Sequence, residues 1–161
     1  MIKVYDNFLG HFEQQNLLRF VNQLPYKMGE TDREDTPPVG MVSVLDINDT
    51  VLPKKIEEQL ERPITSITRC YVNCFTPGED PFFHIDGDCT TFLYYVNDQV
   101  DLDEGGETQF LADDYIHAVP YITDRLVEFN GQLAHKATSF RSKYRFTIAI
   151  KYSTKFGDKN E

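Results

Sequence analysis

The chain has 161 residues, 40% hydrophobic and 13% aromatic, with Phe and Tyr supplying every aromatic ring. That is enough to bury one compact core, and it excludes a disordered chain. A formal net charge of −10 disfavours generic binding to phosphate backbones and reads first as a source of solubility. No apolar run approaches the roughly 20 residues needed to span a bilayer. The opening MIKVYDNFLG lacks the basic-then-apolar order of a secretory signal, so a cytoplasmic location is expected.

In chain order, residues 6–24 open with a short apolar piece and then predict a helix. Leu17, Val21 and Leu24 make one apolar stripe, and Pro25 ends it. Residues 27–40 are charged and broken by Pro37 and Pro38, which predicts a mobile loop or a lid over a site. A second short helix is expected after Thr50, with Pro53 in its first turn and Ile56 and Leu60 on one face. From Ile64 onward short runs rich in β-branched and aromatic residues recur between Gly, Pro, Asn and Asp: ITSITRCYVNCF, TTFLYYVN, ETQFLA, YIHAVP, RLVEFN and YRFTIAIKY. This pattern predicts a mainly β fold, a jelly roll of roughly eight antiparallel strands with two helices packed outside it. One domain is expected: residues 1–62 as helical support and mobile loop, 63–152 as the jelly-roll core, and 153–161 as a polar, frayed tail.

Cys70, Cys74 and Cys89 are an odd, sparse set, which suits reduced thiols. Cys70 and Cys74 share one side of a strand. No second pair answers them as metal ligands, so packed thiols are the better reading.

The most informative group is His84-Ile85-Asp86 with His135 and Arg145. In an extended stretch residues i and i+2 point to one side, so His84 and Asp86 can meet one small ion. His135, from a distant strand, would complete two imidazoles and a carboxylate on one face of that ion. This set, with open positions opposite, suits non-haem Fe(II), and also Mn, Co, Ni or Zn. The final strand places Arg145, Thr147 and Ala149 on one face. An inward Arg145 would be a costly buried cation, for which a carboxylate is the natural partner. The surrounding candidates have plainer readings. His117 reads as a strand-edge histidine, His11 as solvated, Asp88 as a turn or supporting residue, and the acidic stretch 98–104 as a solvated loop before a substrate contact.

Taken together these residues resemble the 2-oxoglutarate- and Fe(II)-dependent dioxygenases, in particular the prolyl-4-hydroxylase-like branch. Beyond His84-x-Asp86, His135 and Arg145, the run Thr91-Phe92-Leu93-Tyr94-Tyr95-Val96-Asn97 is similar to a strand of those hydroxylases. Gly105-Gly106-Glu107-Thr108 is similar to their glycine-pair loop, and Arg145-Phe146-Thr147 to their Arg-x-Ser/Thr element. The resemblance covers roughly residues 64–152 and the YDNFLG segment with its helix. It implies a double-stranded β-helix, iron held by His84, Asp86 and His135, and the distal carboxylate of 2-oxoglutarate held by Arg145 with Tyr95 and Thr147. Asn73 resembles a co-substrate asparagine of the AlkB-type nucleic-acid demethylases, and Tyr71 shares its face. That subgroup has a tyrosine where this chain has Phe75.

The resemblance further implies Fe(II), 2-oxoglutarate and O2, with ascorbate as an accessory reductant, and release of succinate and CO2. The expected substrate is a prolyl residue in a protein or peptide. The other readings are a hydroxylase of a free amino acid or small metabolite, a nucleic-acid demethylase, and a jelly-roll binding module without activity. Net acidity counts against nucleic acid.

Overall fold

The computed structural model describes residues 1–154; residues 155–161 of the expected tail lie outside the described residues. The chain runs β1 (Lys3–Tyr5), α1 (His11–Val21), β2 (Lys27–Met28), β3 (Met41–Val44), α2 (Leu52–Leu60), β4 (Ile67–Phe75), β5 (Cys89–Tyr95), β6 (Thr108–Ala112), β7 (Tyr115–Val119), β8 (Leu126–Asn130), β9 (His135–Ala137) and β10 (Arg145–Ser153). Seven strands form one antiparallel sheet in the order β1-β8-β5-β10-β4-β3-β2, and three form a second in the order β7-β6-β9. This is the mainly β jelly roll expected from the spacing of the strand runs. Ten strands are present among the described residues where roughly eight were predicted. Residues 1–62, expected as helices and loop, also supply β1, β2 and β3 to the large sheet. These strands have two to four residues each and little burial, so no apolar alternation announces them.

The large sheet has two chemically different faces, as the period-2 geometry of a strand requires. Cys70, Val72 and Cys74 of β4, Phe92 and Tyr94 of β5, and Ile148 and Ile150 of β10 pack on one side with Leu17, Val21, Leu52 and Ile56 of the helices. The alternate residues, including Tyr71, Leu93, Tyr95 and Ala149, face the small sheet with Phe110 and Phe129. Helix α1 is seated by Asp124, which accepts from the Leu9 and Gly10 amides and from the Tyr94 hydroxyl, each at 2.8 Å. Pro53 lies in the first turn of α2, where its missing N–H has no helical partner to lose. Both helices thus cover the apolar face and leave the other face to the cavity.

Ile148 is fully buried at the centre of this packing. Ile148→Ala should lower unfolding free energy by about 2–5 kcal/mol, read by chemical denaturation. All three cysteines are free thiols and buried. Burial pushes the Cys70 thiol up to about 12 and the Cys74 thiol up to about 11, with nearby carboxylates adding to both. Cys70 and Cys74 should therefore resist a thiol reagent at pH 8 in the native protein and react on unfolding.

Candidate active site

The cavity between the sheets is lined by alternate residues of β4 and β10, whose register fixes what faces what. Arg145 pairs with Phe75, Thr147 with Asn73, Ala149 with Tyr71 and Lys151 with Arg69. All eight line the cavity, whose volume is about 180 Å³, space for several waters at ~30 Å³ each or one small acid. From the loop 29–40, Glu30, Thr31, Asp32 and Val39 reach its wall. The acidic stretch 98–104, the other segment considered for substrate contact, supplies none of the lining residues.

His84, Asp86 and His135 converge at this cavity, with ligand atoms all within 4.8 Å of one another. The 84–86 stretch is extended but is not a regular strand: only a single bridge, His84 to His135, is formed. Reciprocal backbone bonds make it, His84 N to His135 O at 3.0 Å and His135 N to His84 O at 2.9 Å, and Asp86 N donates to Gly131 O at 2.7 Å. Gly131 permits that approach, since a Cβ there would lie 2.6 Å from Cys89 Sγ and 2.7 Å from Gly87 O. The two histidines are therefore neighbours because their backbones are paired.

The ring nitrogens are assigned by their surroundings. His84 Nδ1 lies 3.0 Å from Phe82 O, and His135 Nδ1 lies 2.8 Å from Leu133 O. A carbonyl can only accept, so each Nδ1 carries a proton, and each Nε2 is the nitrogen turned toward Asp86. The separations are 3.8 Å from His84 Nε2 to Asp86 Oδ1 and 3.5 Å from His135 Nε2 to Asp86 Oδ2. Burial pushes the His135 imidazole below its ordinary range, against the pull of Asp86 and with help from His84. Burial pushes the Asp86 carboxyl up, but His135, Lys151 and the bonds from Lys151 and Thr91 outweigh it and hold it low. The neutral imidazole and ionised carboxylate that a divalent metal requires are thus the favoured states. Thr91 Oγ1 donates to Asp86 Oδ2 at 2.6 Å, and Lys151 Nζ donates to Asp86 Oδ1 at 2.8 Å.

Deeper in, Arg145 is completely buried. Its Nε donates to Gly106 O at 2.8 Å and its Nη2 to Thr108 Oγ1 at 3.2 Å. Among the described residues no carboxylate lies within ion-pair distance of it; Glu107 acts only at longer range. Gly106 has φ +79°, and a Cβ there would strike the Phe140 ring at 2.1 Å, so only glycine delivers that carbonyl. Beside Arg145 on the same wall, Thr147 Oγ1 is buried with no hydrogen-bond partner. Buried polar atoms are rarely left so, and this one shares the cavity with a buried cation that also lacks a counter-ion. One carboxylate placed between them would satisfy both.

Of the other residues singled out from the sequence, Asn73 and Tyr71 line the cavity. Tyr95 does not: it is set one layer back, stacked on Tyr121 at 4.3 Å, and its hydroxyl donates to Thr108 Oγ1 at 2.7 Å. It supports the group that meets Arg145 instead of reaching the cavity. Asp88 accepts from Gln132 at the surface, and His117 and His11 are exposed. Sequence reasoning missed Thr91, Thr108 and Lys151. Lys151 carried a signal, since it lies on Arg145's side of the same strand.

No protein-family model matches the chain, and no curated protein sequence matches it. Solved structures do. A prolyl hydroxylase of Trichoplax adhaerens, in complex with a peptide of the hypoxia-inducible factor oxygen degradation domain, superposes with a TM-score of 0.72 at 19% identity, over 94% of this chain and 83% of that one. The viral collagen prolyl hydroxylase of Paramecium bursaria Chlorella virus-1 gives 0.68 at 14% identity, over 96% and 90%. HygX of Streptomyces hygroscopicus, with nickel and 2-oxoglutarate bound, gives 0.70 at 11% identity, over 96% and 83%. The fold is that of the 2-oxoglutarate/Fe(II) oxygenases. In this oxygenase fold the three metal-binding candidates lie at the cavity wall and the buried guanidinium lies at its inner end.

Thr91→Val removes the bond to Asp86 Oδ2 while keeping shape. It should weaken Co(II) affinity by about 10–100-fold, followed by the visible spectrum of the bound metal. His135→Ala should abolish that spectrum.

Proposed function

We propose that this chain is an Fe(II)- and 2-oxoglutarate-dependent dioxygenase. It hydroxylates a C–H bond, most consistently that of a prolyl residue in a protein or peptide, with release of succinate and CO2. The observation that carries the reading is the buried Arg145, without a carboxylate partner among the described residues, beside the orphaned Thr147 hydroxyl, in one cavity with two histidines and an aspartate. A dicarboxylate co-substrate accounts for both halves of the cavity at once: one end at the metal, the other at Arg145 and Thr147.

The donor set fits the metal. Two imidazole nitrogens and one carboxylate oxygen, with open positions toward the cavity, are what non-haem Fe(II) takes in oxygen chemistry. When bound, the metal supplies the redox chemistry that couples decarboxylation of the co-substrate to oxidation of the substrate. His84, Asp86 and His135 would hold it. Arg145 would fix the far carboxylate through its guanidinium, its remaining donors oriented by Gly106 O and Thr108. Thr147 would add a hydroxyl donor to that carboxylate. Asn73 and Tyr71, on the facing strand, would border the co-substrate's other flank. Phe75, Phe129 and Leu93 limit water and keep these interactions strong. Ascorbate would serve as an accessory reductant.

The peptide substrate is supported by the similarity to prolyl hydroxylases, one of them seen with a peptide. Among the described residues no helix is long and apolar enough to cross a membrane. The acidic chain does not favour nucleic acid.

Purified chain given Fe(II), 2-oxoglutarate and O2 should release succinate even without substrate, slowly. Arg145→Ala should weaken 2-oxoglutarate binding by roughly 100-fold or more, as expected for removal of a charge-assisted bidentate partner worth about 3 kcal/mol. Unchanged 2-oxoglutarate affinity in that variant, measured by calorimetry with Mn(II) in place of iron, would remove Arg145 from the role assigned here.

A further inference from the structure

The inner face of β10 carries a second cation, at the opposite end of the cavity from Arg145. Lys151 lies six residues further along the strand, about 20 Å of backbone at ~3.3 Å per residue. Across the strand pair, Lys151 faces Arg69. Both cations sit against one ring: the Arg69 guanidinium carbon is 4.1 Å and Lys151 Nζ 5.6 Å from the centre of Tyr71. All three line the cavity.

The charges here are balanced only while Asp86 is free. Lys151 Nζ is held at 2.8 Å by Asp86 Oδ1, and its side chain is 14% exposed. Arg69 pairs with Glu30 of the loop 29–40 at 2.5 Å. When Asp86 gives its charge to a dication, Lys151 keeps a geometric neighbour but loses most of its counter-charge. Lys151 is then a largely buried ammonium short of an anion, beside a guanidinium on the same aromatic ring whose Glu30 partner offsets only its own charge. An ammonium has three donors, and Asp86 Oδ1 uses one. Resting on the dioxygenase reading, we propose that Lys151 and Arg69 form an anion subsite that anchors a carboxylate of the substrate beside the C–H bond to be oxidised. The substrate is then a proline whose own carboxylate is free, or a prolyl residue flanked by an acidic side chain.

The test uses the full chain loaded with Mn(II) and saturating 2-oxoglutarate without oxygen. L-Proline is titrated against L-prolinamide, and acetyl-Pro-Glu-amide against acetyl-Pro-Gln-amide, by calorimetry. At least one carboxylate should bind tenfold or more tightly than its uncharged twin, and the preference should fall below threefold in Lys151→Met and in Arg69→Gln. A preference within the first pair alone identifies the α-carboxylate, and within the second alone an acidic side chain. No tighter binding of either carboxylate in the unaltered chain overturns the subsite, as does a preference that persists in both variants. Failure of the dioxygenase reading is seen separately, as absence of 2-oxoglutarate binding to the Mn(II)-loaded protein before any of these compounds is added.

Discussion

A guanidinium buried out of reach of any carboxylate among the described residues is the constraint around which the inner half of this molecule is arranged. Removing such a charge from water costs several kcal/mol, and the protein offsets only part of that by itself. Gly106 offers a carbonyl from a backbone conformation that admits no side chain, and Thr108 offers a hydroxyl that Tyr95 in turn braces. Asn97 and Tyr121 hold the start of β10 next to Arg145: Phe146 N donates to Asn97 Oδ1, and the Tyr121 hydroxyl donates to Phe146 O. What is left over is a guanidinium edge and an unpartnered Thr147 hydroxyl, which is the basis for proposing a carboxylate ligand there.

The metal-binding candidates follow a different logic. Nothing in their side chains needs to find its partners by search. His84 and His135 are joined by two backbone hydrogen bonds, Asp86 is tied by its amide to Gly131, and both rings are oriented by carbonyls on their far nitrogens. Little ordering cost remains for a metal to meet, which is the benefit of preorganisation in any binding event. Burial, Lys151 and Thr91 then set the charge states.

Much of this was legible in the sequence, for a geometric reason. His84-x-Asp86, the glycine pair and Arg145-x-Thr147 are short patterns whose spacing is dictated by strand period and by one backbone conformation, so they can be read from one sequence even though identity to the solved structures is only 11–19%. The longer strand runs, β4, β5, β8 and β10, were legible because most of their residues on both faces are buried, and β6 and β7 because β-branched and aromatic residues alternate with turn signals. β1 to β3 were not, being strands of two to four residues near the sheet's margins with little burial. Thr91 and Thr108 were not either, because their importance lies in which strand they face. Tyr95 illustrates the same limit: its place in the strand was readable, but whether its hydroxyl reached the cavity or Thr108 depended on the neighbouring sheet.

The β4–β10 register carries a further consequence. The residues that pack against the helices and the residues that line the cavity alternate along the same two strands. A slip of one position would turn Arg145, Thr147 and Lys151 into the oily interior and Ile148 and Ile150 out of it. Misaligned chains therefore have no stable resting form in which to accumulate. Quality control over the chemistry is exercised by the hydrophobic core, and a chain that passes one inspection has passed both.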